Sequence, residues 1–228
     1  MPNFTVNRHL LEDVHKILLT HSHIFWVLGG AGAGKSTICR ATSEQYNIPI
    51  CDMDEKIYGT WQERFDAARH PANFAWHASP NGLEFLLKLS WQEFDTFNAS
   101  SNVEYLDLFA QEIETMDASA PLLVDGGLSK PSILIQALPA RQIACLAIPE
   151  ELGTQIWETA PERQFMQDMV RQLSDGNMLW QKFLEYDRLL SRTMIQEARA
   201  NGIRVFERTE GMSVSELVKE IVRGFGIG

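Results

Sequence analysis

The segment IFWVLGGAGAGKST, residues 24–37, decides how the chain is read. Its first five residues are a continuous apolar run, the pattern of a strand buried on both faces. The glycine-rich turn follows at once, and residues 35–45 continue at helical spacing. Within it stands Gly29-x-x-x-x-Gly34-Lys35-Ser36, the phosphate-loop pattern in the strand–loop–helix context that the pattern requires. Residues Gly29, Gly30, Ala31, Gly32, Ala33, Gly34, Lys35, Ser36 and Thr37 are therefore expected to wrap a polyphosphate. Successive backbone N–H groups turn inward there, and the helix start adds partial positive charge. Lys35 is placed to meet the terminal phosphates, and the Ser36 hydroxyl to ligate Mg²⁺.

Outward from this loop, the spacing predicts a helix over 8–20 and a second strand over 48–51 that delivers Asp52 and Asp54 at its end. Residues 122–124 read as a third strand ending in Asp125, Gly126 and Gly127. Residues 142–148 read as a fourth, stopped by Pro149, and 203–207 as a fifth. Between the second and third strands, 55–120 form a long, aromatic, helical insertion. Residues 161–200 read as two helices broken near Asp175-Gly176, and 213–225 as a last helix opened by the capping box Ser213-x-x-Glu216. The expected fold class is α/β: a P-loop NTPase three-layer sandwich over 1–228, with a five-stranded parallel sheet and helices on both faces. Ligands in such sheets bind at the carboxyl ends of the strands, so the loop, the acidic pair and Asp125-Gly126-Gly127 are expected to converge on one crevice.

The chain has 228 residues, 45% of them hydrophobic, with 20 Lys plus Arg against 30 Asp plus Glu and a formal charge of -10. That acidity disfavours a polynucleotide partner. The start of the chain lacks the pattern of a signal peptide, and no stretch approaches a membrane span. Cys39, Cys51 and Cys145 are far apart with no metal spacing, which predicts reduced thiols in a cytoplasmic protein. The composition is compatible with a monomer or a homodimer.

An Asn-Lys-x-Asp segment for reading guanine is missing, and no glutamate follows Asp125 to activate water; both features favour phosphoryl transfer over hydrolysis. In order of motifs (phosphate loop, CDMDE at 51–55, VDGG at 124–127, arginine-bearing helices) most of the chain resembles the small-molecule P-loop kinases. These include shikimate, gluconate, adenylylsulfate and nucleoside monophosphate kinases, and chloramphenicol phosphotransferase is similar. The resemblance implies ATP and Mg²⁺ as cofactors and a small-molecule acceptor. It implies a metal site of Ser36, Asp52 and Asp125, both aspartates acting through water. Asp54 would accept the hydrogen bond or proton of the acceptor hydroxyl, although Asp52 and Asp54 also suit a plain helix cap. The backbone of Gly126 and Gly127 would approach the phosphoryl group or the acceptor.

A lid over 161–200 needs an arginine for the charge-spread transition state. Arg171, just before the helix break, is the first candidate and Arg163 the second; Arg188 and Arg192 are further ones, and Asp187-Arg188 is an expected structural pair. In the insertion, Tyr58, Trp61, Arg64 and Arg69 are the acceptor candidates, the arginines to hold a carboxylate or phosphate. Phe85, Phe94 and Phe97 are expected to pack the insertion itself. His21, His23, His70 and His77 read as surface or loop residues. Two other functions stay open: a nucleotide-binding regulator without a small-molecule acceptor, and a nucleoside or nucleotide kinase.

Overall fold

A computed structural model describes residues 4–207 and 212–227. Its elements in chain order are α1 (Arg8–Leu18), β1 (Ile24–Gly29), α2 (Lys35–Tyr46), β2 (Ile50–Asp52), α3 (Met53–Glu55), α4 (Pro71–His77), α5 (Gly82–Lys88), α6 (Trp91–Ile113), β3 (Leu122–Asp125), α7 (Pro131–Leu134), β4 (Ile143–Ala147), α8 (Glu150–Thr159), α9 (Gln164–Arg171), α10 (Gly176–Ala200), β5 (Arg204–Glu207) and α11 (Val214–Phe225). The strands form one sheet in the order β2-β3-β1-β4-β5, every neighbouring pair parallel. This is the P-loop α/β fold expected from the sequence.

The apolar runs decide which strands lie centrally. Every residue of β1, β3 and β4 is buried, and β1 sits between the other two. Side chains alternate across the sheet. Trp26, Leu28, Val124 and Cys145 face one core with residues of α1, α6 and α10. Phe25, Val27, Leu123, Ala144 and Leu146 face the other, covered by α2 and α11. Parallel strands need crossovers, and these helices supply them. The capping boxes Ser90/Glu93 and Ser213/Glu216 fix the starts of α6 and α11, each stabilising its helix by about 1 kcal/mol.

The insertion between β2 and β3 is organised by α6. Glu104 on its buried face accepts from the amides of Ala72 and Asn73 and from Asn73 Nδ2, at 2.7–2.9 Å. Those amides begin α4, whose first N–H groups have no partner within the helix. Burial raises the carboxyl pKa of Glu104, against the pull of these bonds. His70 is 2% exposed, with Nε2 2.9 Å from Asp107. The sequence expects a surface or loop residue; His70 does lie in the loop before α4, but pairing with the buried carboxylate draws it in. His21 is buried as well, its Nδ1 3.1 Å from the Ile17 carbonyl oxygen.

Two features differ from expectation. β2 runs over Ile50–Asp52, so Asp52 is part of the strand. α8 was not foreseen: Pro149 precedes its first residue, and its fixed φ of -55° leads the chain into a helix as well as ending β4. The break between α9 and α10 does fall at Asp175, whose φ is +61°.

Candidate functional site

The loop emerges from the centre of the sheet. Gly29 ends β1, Gly30 to Gly34 form the turn, and Lys35, Ser36 and Thr37 make the first turn of α2. Gly34 precedes α2 with φ +87° and brings no side chain to cap it. The first N–H groups of α2 thus lack a side-chain partner, the condition for anion binding at a helix start. The Lys35 ammonium curls over the turn and donates to the Gly30 carbonyl oxygen at 3.1 Å.

Two acidic strand ends lie beside it. Asp52 of β2 and Asp125 of β3 are register partners. One oxygen of Asp52 caps α3, accepting from the amides of Asp54 and Glu55 at 3.0 and 3.1 Å. Asp125 is 5% exposed, and its Oδ1 is buried without a hydrogen-bond partner. Burial raises its carboxyl pKa, opposed by the Ser36 hydroxyl and the Lys35 ammonium. Among the described residues, no three His, Cys, Asp or Glu side chains group closely enough to make a metal site alone. An unpartnered carboxylate oxygen beside a serine hydroxyl nevertheless fits a hard divalent ion such as Mg²⁺, which keeps waters and takes phosphate oxygens for the remaining positions.

Two clefts open on either side of the loop. One, of about 410 Å³, lies toward β2 and β3 and is lined by Lys35, Asp54, Tyr58, Gly126, Gly127 and Arg163, with aromatic walls from the insertion. The other, of about 570 Å³, lies at the ends of β4 and β5, between α8 and α10. Ala31, Asp187 and Ser191 line both, so the clefts meet over the loop. Asp54 faces the first cleft in reach of solvent. The surrounding protein still raises its pKa by desolvation; Lys35 lowers it, and Asp52 and Asp125 raise it further.

The expected site residues divide sharply by position. Tyr58 reaches the cleft, 63% exposed and edge-on to Trp76 at 5.9 Å. Trp61 does not: it is fully buried and its indole donates to Glu112. Arg64 turns to the same carboxylate, which Lys56 also meets, at 2.6 and 3.0 Å. Arg69 clamps Asp107 with two bonds of 2.7 and 2.6 Å. Asp107 and Glu112 are both pushed up by burial, but their hydrogen bonds win and leave each below its ordinary pKa. The two arginines thus tie the insertion to α6 rather than facing an acceptor.

Gly126 and Gly127 both line the cleft, but the Gly126 amide is engaged with the Val27 carbonyl oxygen at 3.0 Å, which removes it as a donor to a ligand. Gly127 has φ +73°, and a Cβ there would stand 2.2 Å from that of Met53. Its lack of a side chain lets the β3 turn close on the segment carrying Asp52 and Asp54.

Arg171 is exposed at the end of α9, away from both clefts. The guanidinium in the β2–β3 cleft is that of Arg163, 4.6 Å above the Trp157 ring, its Nε buried without a partner. Arg188 and Arg192 line the other cleft, Arg192 paired with Glu150 at 2.7 and 2.8 Å. Asp187 makes no ion pair with Arg188. It faces the junction of the clefts, where burial pushes its carboxyl up to about 6, against the Trp157 indole, Arg163 and Lys35. Sequence reasoning singled out neither Asp187 nor Trp157 for the site. Its one available signal was the i, i+4 spacing of Asp187 and Ser191 on a single helix face.

No family model and no curated protein sequence matches the chain. Among solved structures it is similar to the shikimate kinase from Bacteroides thetaiotaomicron, at 13% identity and a TM-score of 0.43, covering 88% of this chain and 96% of that one. It is also similar to the shikimate kinase from Aquifex aeolicus, at 16% identity and a TM-score of 0.40, covering 89% and 96%.

Proposed function

We propose that the chain is a Mg²⁺-dependent kinase that transfers the γ-phosphate of ATP to a hydroxyl of a small molecule. The observation that carries this reading is the pair of clefts meeting over the glycine loop, with Lys35 and Asp54 facing the same one. The β4–β5 cleft suits the nucleoside, the loop the phosphates, and the β2–β3 cleft the acceptor. Bound Mg²⁺ would neutralise phosphate charge; Ser36 and Asp125 would hold it, Asp52 through water.

The acceptor oxygen attacks the γ-phosphorus as the bond to the β–γ bridging oxygen breaks. ADP leaves with that electron pair. Asp54 orients the acceptor and takes its proton, a role that its raised pKa favours. Lys35 and Arg163 offset the charge on the phosphoryl oxygens. Residues 55–120 serve as the acceptor-binding part of a single domain and 161–200 as its lid, with closure excluding water.

Among the described residues no helix is long and apolar enough to cross a membrane. The three cysteines are free, and burial raises Cys51 to about 11 and Cys145 to about 12. Unreactive free thiols suit a cytoplasmic site of action. Coupled measurement of ADP release, with and without a panel of small alcohols, tests the proposal. Acceptor-dependent release carrying label from γ-³²P-ATP into the alcohol is expected. Nucleotide binding with no transfer to any acceptor would point to the regulator instead.

A further inference from the structure

The acceptor-side cleft carries a chemical signature of its own. Its walls are aromatic: Tyr58 stands edge-on to Trp76, Phe94 and Phe97 lie beyond, and Tyr105 and Trp157 close two further sides. Its charged side chains are Lys35, Arg163, Asp54 and Asp187. Lys35 sits on the phosphate loop, and Arg163 lies on the lid side, where Asp54 and Asp187 both feel its charge. Among the described residues no cation other than Lys35 and Arg163 lines the cleft. Lys56 and Arg64 are held by Glu112, Arg69 by Asp107, and Lys130 by Asp95 and Glu197. The two carboxamides in the lining, Asn98 and Asn102, are uncharged, and their oxygens are engaged. Asn102 Oδ1 accepts from the amides of Ser129 and Lys130, while Asn98 accepts from Ser129 Oγ and donates to the Phe94 carbonyl oxygen.

An anionic acceptor would therefore lose its water against Asp54 and aromatic rings, while on the kinase reading the two cations present, Lys35 and Arg163, are taken by the phosphates. The incoming triphosphate and the net charge of -10 add repulsion. An uncharged ring gains from the aromatic walls, and an ammonium gains further from ring faces and carboxylates. Resting on the kinase reading above, we propose that the acceptor is a non-anionic alcohol with a flat, largely apolar body, uncharged or carrying an amine, and that the cleft discriminates against carboxylates and phosphate esters. The specificity is a difference between affinities, set as much by what the cleft lacks as by what it holds.

Three matched probes test this: 1-phenyl-1,2-ethanediol, 2-amino-1-phenylethanol and mandelate. They share the benzylic alcohol and differ in a neutral, cationic or anionic neighbour. Binding is followed by quenching of tryptophan fluorescence, since Trp76 and Trp157 line the cleft, with Mg²⁺ and a non-hydrolysable ATP analogue present. The diol and the amino alcohol are expected to bind at least about tenfold more tightly than mandelate. Tyr58→Arg, at an exposed rim position, should shrink or reverse that ratio by admitting a cation. Equal or tighter binding of mandelate to the parent overturns the proposal. So does failure of both other probes to bind below about 10 mM, and so does an unchanged ratio in Tyr58→Arg. Because the readout is binding, the ranking is decided whether or not phosphate moves. Failure of ATP to be consumed with any acceptor bears on the kinase reading alone.

Discussion

Gly127→Ala separates the acidic segment from the phosphate loop. Position 127 has φ +73°, and a methyl group there would lie 2.2 Å from Met53 Cβ. The left-handed backbone costs an L-residue about 1–2 kcal/mol, and forcing extra volume into a packed contact costs about 1–3 kcal/mol. The sum is roughly 2–5 kcal/mol, or about 4–20 °C in Tm for a chain of this size. Met53 is fully buried between Asp52 and Asp54, so relief of the clash must move the acidic pair.

At Gly126 the φ is similar, +66°, but the nearest atom is the flexible Lys35 Cε at 3.1 Å. Gly126→Ala therefore carries mainly the backbone cost, about 1–2 kcal/mol, and displaces Lys35 instead. Thermal unfolding of both variants, with calorimetry of Mg·ATP binding and acceptor-dependent ADP release, reads the contrast. Gly127→Ala should lose more stability and turnover while keeping nucleotide affinity; Gly126→Ala should lose nucleotide affinity. Equal effects at the two positions, or a Gly127→Ala variant as stable as the parent, would refute the reasoning.

Asp187→Asn should stabilise the protein at pH 7.5. The Asp187 carboxyl binds its proton at about pH 6 in the folded chain against an ordinary 3.8, so the folded state loses stability as pH rises through that window. The gain, about 1–2 kcal/mol after allowing for partial solvent access, should fade as pH falls from 6 to 4; Tm against pH for both proteins shows whether it does. Arg163→Ala should lower kcat on the order of 100-fold and Arg171→Ala by less than about twofold, as expected of an exposed arginine, in steady-state assays with a working acceptor. Arg64→Ala and Arg69→Ala should lower Tm through loss of their α6 partners while leaving the acceptor KM unchanged; a raised KM would restore them to the acceptor site.

The parts legible in the sequence are those encoded locally. The run from Ile24 to Leu28, the glycines and Lys35-Ser36 carry strand, turn and helix start within fourteen consecutive residues, and the structure has them in that order. Asp125 was legible as the last residue of an apolar strand. What the sequence hid is non-local. Arg64 and Arg69 follow the acidic pair closely, yet their direction is decided by Glu112 and Asp107, 48 and 38 residues onward. His70 is buried by the same Asp107. Arg163 and Arg171 look alike along the chain, and only the packing of Trp157 under one of them tells them apart. Asp187 gives only a weak local sign, its i, i+4 spacing from Ser191, because its position depends on α10 lying across the loop.

The central claim is that the turn after β1, with Lys35, encloses the phosphate tail of a magnesium nucleotide. Titration calorimetry of ATP into the parent and Lys35→Ala, with Mg²⁺ and with EDTA, tests it most directly. Magnesium-dependent binding to the parent is expected, weakened on the order of 100-fold in the variant by loss of a charge-assisted contact. Equal affinity in both proteins, or no magnesium-linked uptake of ATP by the parent, would contradict it.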